Sequence, residues 1–178
     1  TVRASKESEH SYAGGRCHHS SYDYNFKTWI IDSEWSEVAW RDTSFTALST
    51  EIGSPAQLAQ FAWLLHSGET FAGRTITLAA DINLGAHYWV APGDFDTRFQ
   101  GTFDGAGRAV CNVFISKPEA DYQGLFGSTG ADAVIRNLTA TNLDIAAAEY
   151  VGGIVGRAFG GVTNCRAYGT VSGTYMVG

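Results

Sequence analysis

Two groups of residues could carry chemistry. His10, Cys17, His18 and His19 supply imidazole and thiolate groups of the kind that hold zinc or copper. A tetrahedral site needs ligands that converge, and Cys17, His18 and His19 are adjacent in the chain, so they read as a polar surface arm and not as a metal centre. Further on, Asp94, Asp96 and Asp104 lie in GDFDTRFQGTFDG, with Arg98 inside that stretch and Arg108 just beyond it. Carboxylates clustered on one face could bind calcium while a basic residue abstracts a proton, the arrangement of a polysaccharide lyase. The simpler reading of FDG at 103–105 is a bend built by Asp and Gly. No catalytic residue, metal or cofactor is therefore assigned.

The remaining candidates are weaker. Asp81 and Asn83 read as turn residues at strand ends. The pairs Thr75/Thr77 and Thr139/Thr141 suggest the threonine arrays of ice-binding solenoids, but the same pair does not recur in register. Tyr88, Trp89 and Phe95 are aromatic side chains that, if exposed, could stack on sugars. Asn137-Leu138-Thr139 is a glycosylation sequon, read as incidental.

The elements that must position these residues change along the chain. Residues 1–47 are expected to form an irregular arm packed on the rest, with a short strand at 29–32. Ser54, Pro55 and Gln57 then give a cap, a first helical position and a capping box, and Leu58, Phe61, Ala62 and Leu65 form one apolar stripe, predicting a helix over 55–66 that stops at Gly68. After Gly73, short β-rich runs alternate with glycine turns. The chain has 178 residues, 21 glycines, 3 prolines and only 17% charged residues, the composition of an ordered, turn-rich domain. A net charge of −6 argues against a nucleic-acid partner, and no apolar run is long enough for membrane insertion.

Three of the β-rich runs superpose. VCNV at 110–113 matches IRNL at 135–138 and VTNC at 162–165, while GLFG at 124–127 matches GIVG at 153–156. A period of 25–29 residues holding two or three short strands fits one turn of a β-solenoid and is too short for a propeller blade. Stacked coils place like residues over one another. The match predicts Val110/Ile135/Val162 and Val113/Leu138/Cys165 as core ladders, with Asn112, Asn137 and Asn164 stacked at a bend. Cys165 is then a buried, inert thiol and Cys111 faces outward. Two coils separate them, beyond bridging distance, so no Cys111–Cys165 disulfide is expected. A Cys17–Cys111 bond stays open.

YVGGIVG at 150–156 followed by GVTNCRAYGTV at 161–171 resembles the GLUG repeat of bacterial surface proteins, and residues 54–84 with FQGTFDG at 99–105 are similar to the segment that precedes those repeats. The resemblance implies an all-β, right-handed parallel β-helix over 48–178, with the helix as an N-terminal cap laying Leu58, Phe61 and Leu65 over the first coil. It also implies an extracellular, cell-surface or wall location. Related repeats occur in adhesin-like proteins and beside IgA-specific metallopeptidases, whose His-Glu-x-x-His zinc signature is absent here. The echo of Tyr150-Val151-Gly152 at Tyr175-Met176-Val177-Gly178 predicts another coil starting at Tyr175, cut short, with more repeats in a parent chain. The expected function is a non-enzymatic structural or adhesive segment that meets a host glycan or extracellular-matrix protein. The alternative is an accessory or substrate-binding module of a secreted carbohydrate-active enzyme or protease, or a small β-helix lyase.

Overall fold

A computed structural model describes residues 41–85 and 87–178 of the chain. The strand expected at 29–32 and the cluster of His10, Cys17, His18 and His19 lie outside the described residues, as does most of the expected arm.

Strand β1 (Glu51–Ile52) leads into helix α1 (Pro55–His66), followed by β2 (Thr75–Leu78) and β3 (Ile82–Asn83). The next turn carries β4 (Thr102–Asp104), β5 (Ala109–Cys111) and β6 (Phe114–Lys117). Then come β7 (Phe126–Thr129), β8 (Val134–Arg136), β9 (Thr139–Ala147) and β10 (Glu149–Val151). The last described turn holds β11 (Val155–Ala158), β12 (Gly161–Thr163), β13 (Arg166–Ser172) and β14 (Tyr175–Val177). All strand pairings among the described residues are parallel and join one turn to the next. One sheet runs β1-β2-β4-β8-β12 and a second runs β3-β5-β9-β13, with β6 also on β9, while β7-β11 and β10-β14 form two narrower faces. The molecule is a β-solenoid of about five turns with one short helix.

Its core is built from columns of like position. Ile76, Phe103 and Ile135 are in register and fully buried, and Val162 extends their column. On the second sheet Ile82, Val110 and Ala140 are in register and buried. Each large apolar side chain taken from water stabilises the fold by about 1.5–3 kcal/mol.

The observed columns correct the predicted register in part. Ile135 does lie beside Val162, and Leu138 is adjacent to Cys165, but Val110 and Val113 belong to the other sheet, where Val110 faces Ala140. Both corners carry asparagines on successive coils, Asn137 and Asn164 at one and Asn83, Asn112 and Asn142 at the other. A phrase match cannot tell one corner from the other. The GLFG and GIVG phrases do superpose, with Phe126 paired to Val155.

Helix α1 starts and stops as its sequence dictates. Ser54 Oγ accepts the Gln57 amide at 3.2 Å, and Gln57 Oε1 accepts from Gly53 at 2.8 Å, one residue before the position a capping box would reach. Ser67 closes the helix and Gly68 takes φ +104°, where a side chain would be strained. Leu58, Phe61 and Leu65 are buried as expected, yet the helix does more than cover the first coil. The Phe61 ring lies 4.8 Å from Phe71, 5.7 Å from Phe99, 5.6 Å from Phe103 and 6.1 Å from Phe126. Those rings come from several successive turns, so Phe61 plugs the interior.

Candidate functional site

Two corners of the solenoid are fixed by side-chain amides. At one, Asn137 Nδ2 donates to Asp104 Oδ1 at 3.0 Å and Asn164 Nδ2 donates to Asn137 Oδ1 at 2.8 Å. At the other, Asn112 Nδ2 donates to Asn83 Oδ1 at 2.7 Å and Asn142 Nδ2 donates to Asn112 Oδ1. The predicted single stack of Asn112, Asn137 and Asn164 is thus two ladders, with Asn112 in the second. Asn112, Asn137, Asn142 and Asn164 all have φ between 50° and 59°, a left-handed conformation that asparagine tolerates better than most residues. The spacing was present in the sequence, since Asn83, Asn112 and Asn142 recur at 29 and 30 residues.

The carboxylates do not converge. Asp94 Oδ1 accepts from the amides of Asp96 and Thr97 at 2.9 and 2.7 Å, closing its own loop. Asp104 sits in the first asparagine ladder, where it also accepts from the Ala106 amide and pairs with Arg136 Nε at 2.8 Å. The Asn137 amide, with the Ala106 N–H and the Arg136 guanidinium, holds the Asp104 carboxyl below its ordinary pKa. Among the described residues no three His, Cys, Asp or Glu side chains gather as a metal site would require. Asp81 and Asn83 act as strand-end residues, accepting from the Ala109 and Gly85 amides. Thr75 and Thr77 face Thr102 and Asp104, so the threonine pair does not repeat. The sequon residue Asn137 is occupied by its ladder.

The cysteines divide. Cys165 is free, so no bond joins it to Cys111. It is half-buried, less than expected, because it stands on the exposed last turn; burial still raises its thiol pKa. Cys111 alternates with the core residue Val110 but is not exposed: it is 2% accessible and disulfide-bonded, and the other half of that bond lies outside the described residues. The open question of Cys17 falls there too. Trp89, considered as a sugar platform, is fully buried with Nε1 donating to the Leu125 carbonyl at 3.0 Å. Tyr88 packs on Phe114 at 4.9 Å.

Phe95 is exposed as expected, and it opens onto a feature the sequence reading missed. The Tyr122 and Tyr150 rings stack at 5.0 Å and 14°, and Phe95 lies 6.3 Å from Tyr122. Arg157 places its guanidinium 4.8 Å from Tyr150 and 4.7 Å from Phe159, and Arg98 lies 5.2 Å from Phe95 and 4.6 Å from the same Phe159 ring. Strand register explains the meeting: Arg157 is paired with Ser128, and the Phe99–Thr129 bridge sets Arg98 beside Ser128 from the other side. Phe159 then follows β11. No carboxylate among the described residues pairs with Arg98 or Arg157. Arg157 Nη1 donates to Tyr122 Oη at 3.5 Å. Tyr122, aligned with Tyr150 through the Gln123–Val151 bridge, was the missed signal, at a separation nearer the coil period than Tyr175.

Comparison with known proteins places these features. Residues 147–172 match the profile of the GLUG motif, covering the end of β9 through β13. Over 116 residues, 60% of this chain, it is 34% identical to halomucin of Haloquadratum walsbyi, of which that alignment is 1%. Over 92 residues, 50% of this chain, it is 34% identical to a protein of Evansella cellulosilytica described as a Gly-rich membrane protein, covering 11% of it. The chain thus spans a small part of the curated relatives it matches. No solved structure matches it significantly. No helix of the described residues is long and apolar enough to cross a membrane. Taken with the stacked parallel coils, the matched stretch makes this a β-solenoid carrying a GLUG motif, consistent with the GLUG-repeat bacterial surface proteins it resembles.

Proposed function

We propose that this chain is a non-enzymatic length of solenoid from a larger cell-surface protein, giving the protein a stiff shaft and an outer face for attachment to a host glycan or extracellular-matrix protein. The observation that carries the reading is the parallel stacking of coils through the GLUG motif, which continues past one register shift between Ala167 and Gly169, because such stacking makes an extended surface of repeated positions. Three further facts support it. Both matched relatives are much longer than this chain, and one is described as a membrane protein. The disulfide at Cys111 fits an oxidising, extracellular setting. Two of the three carboxylates considered for an enzyme, Asp94 and Asp104, are engaged in holding a loop and a corner.

The test is a binding array of glycans and matrix proteins, run with calcium and with chelator. Selective, chelator-independent binding to one component is the expected result. Binding to none of them removes the adhesive part of the reading, and turnover of an arrayed polysaccharide overturns the non-enzymatic part.

A further inference from the structure

We infer that the face formed by Arg98, Arg157, Phe159, Tyr122 and Tyr150 is a binding site for an acidic polysaccharide, one whose sugars carry carboxylate or sulfate groups. This rests on the surface-attachment reading above and names its partner and place.

The argument begins with charge. The chain is acidic, with 18 Asp and Glu against 12 Lys and Arg, so two neighbouring arginines with no carboxylate partner among the described residues are conspicuous. Phe159 is shared by both guanidiniums, 4.6 and 4.7 Å from its centroid. The like charges are therefore held within about a Debye length of each other, roughly 10 Å at 0.1 M salt. Their ring contacts offset part of that repulsion but leave N–H donors unused. A carboxylate or sulfate has the geometry to take two donors of one guanidinium at once.

A second observation lies beneath them. Ser128 sits between the two arginines in register and is fully buried, and its Oγ has no hydrogen-bond partner. Arg98 Nε is shielded in the same way and lacks an acceptor. An unmet buried polar group costs about 1–3 kcal/mol, so this face keeps polar groups that the described residues do not satisfy.

The partner's second property comes from the rings. Phe95 and Phe159 are about half exposed, and their apolar surfaces suit the C–H faces of a sugar ring. Of the nearby anionic groups, Asp94 is bonded into its loop and Asp121 accepts from the Glu149 amide, while Asp96 beside Phe95 and Glu149 beside Tyr150 are not held in this way. A partner with both an anionic group and an apolar ring face describes an acidic glycan better than a free anion.

The full chain would be titrated with polygalacturonate, with its carboxyl-reduced neutral counterpart, with heparin, and with anionic phospholipid vesicles, at low and high salt. The expected result is salt-sensitive binding to polygalacturonate or heparin and none to the neutral polymer. R98Q/R157Q should weaken that binding about tenfold or more, and Arg157→Lys should fall between, keeping charge but losing the planar fork. Asp96→Asn should tighten it about twofold; it touches none of the stacked groups, so it keeps the test open if the double variant fails to fold. Equal binding to the neutral polymer, binding to vesicles alone, or wild-type affinity in a folded R98Q/R157Q would overturn the inference. Capture of a matrix protein or neutral glycan without acidic polymers would sink this site and leave the attachment reading intact. Failure to bind anything would sink both.

Discussion

Asp104 heads an asparagine ladder where the other corner has Asn83, and the exchange of an amide for a carboxylate gives that corner a pH dependence. Its folded pKa is lowered, first by the Asn137 amide and then by the Ala106 N–H and Arg136. A lowered carboxylate pKa contributes stability that is fully present above the unfolded value, near 3.8, and is lost as pH falls through the folded value. Asp104→Asn keeps an acceptor for Asn137 but gives up the ion pair. Denaturant unfolding should show it less stable than the wild type at pH 7, with the gap closing in acid. A gap that persists below the folded pKa would contradict the ladder's charge. Cys165 titrates in the opposite sense. Burial raises its thiol pKa, so at neutral pH iodoacetamide should label it more slowly in the folded than in the unfolded chain.

The corners and the helix act as elements, and substitutions there test different forces. Asn112 receives and donates within its ladder and holds φ 59°. Asn112→Ala loses both amide contacts and strains the backbone, and should cost about 2–3 kcal/mol. Asn112→Gly relieves the backbone part, so it should be the milder change; equal losses in chemical denaturation would mean that the dihedral is not strained. Phe61→Ala should cost about 3–5 kcal/mol, since the cavity opens inside a cluster fed by several turns. A loss near 1 kcal/mol would make the helix a surface lid after all. These elements also mark how far the sequence could be read. The helix was legible almost to the residue because caps and an apolar stripe are local signals. The solenoid was legible from its period. Column membership was not, because VCNV at 110–113 and IRNL at 135–138 share one phrase at different corners, and only pairing between turns separates them. The arginine–aromatic face was hidden for a related reason. Arg98, Tyr122, Tyr150 and Phe159 are distant in the chain, and it is register across the β7 and β11 levels that gathers them.

At the scale of the whole molecule, the parallel register has a mechanical consequence. The backbone hydrogen bonds between turns run along the stacking direction, about 4.8 Å per turn. Tension applied along that direction loads one layer of bonds at a time, in the geometry of unzipping instead of shear. A turn such as the one from Asn137 to Asn164 spans 27 residues, so its release should lengthen the chain by about 90 Å. Optical-trap pulling along the stack should give a staircase of such steps at low force, and one cooperative rupture would contradict it. A shaft built this way yields in instalments: under load it spools out length while the turns still wound keep their shape.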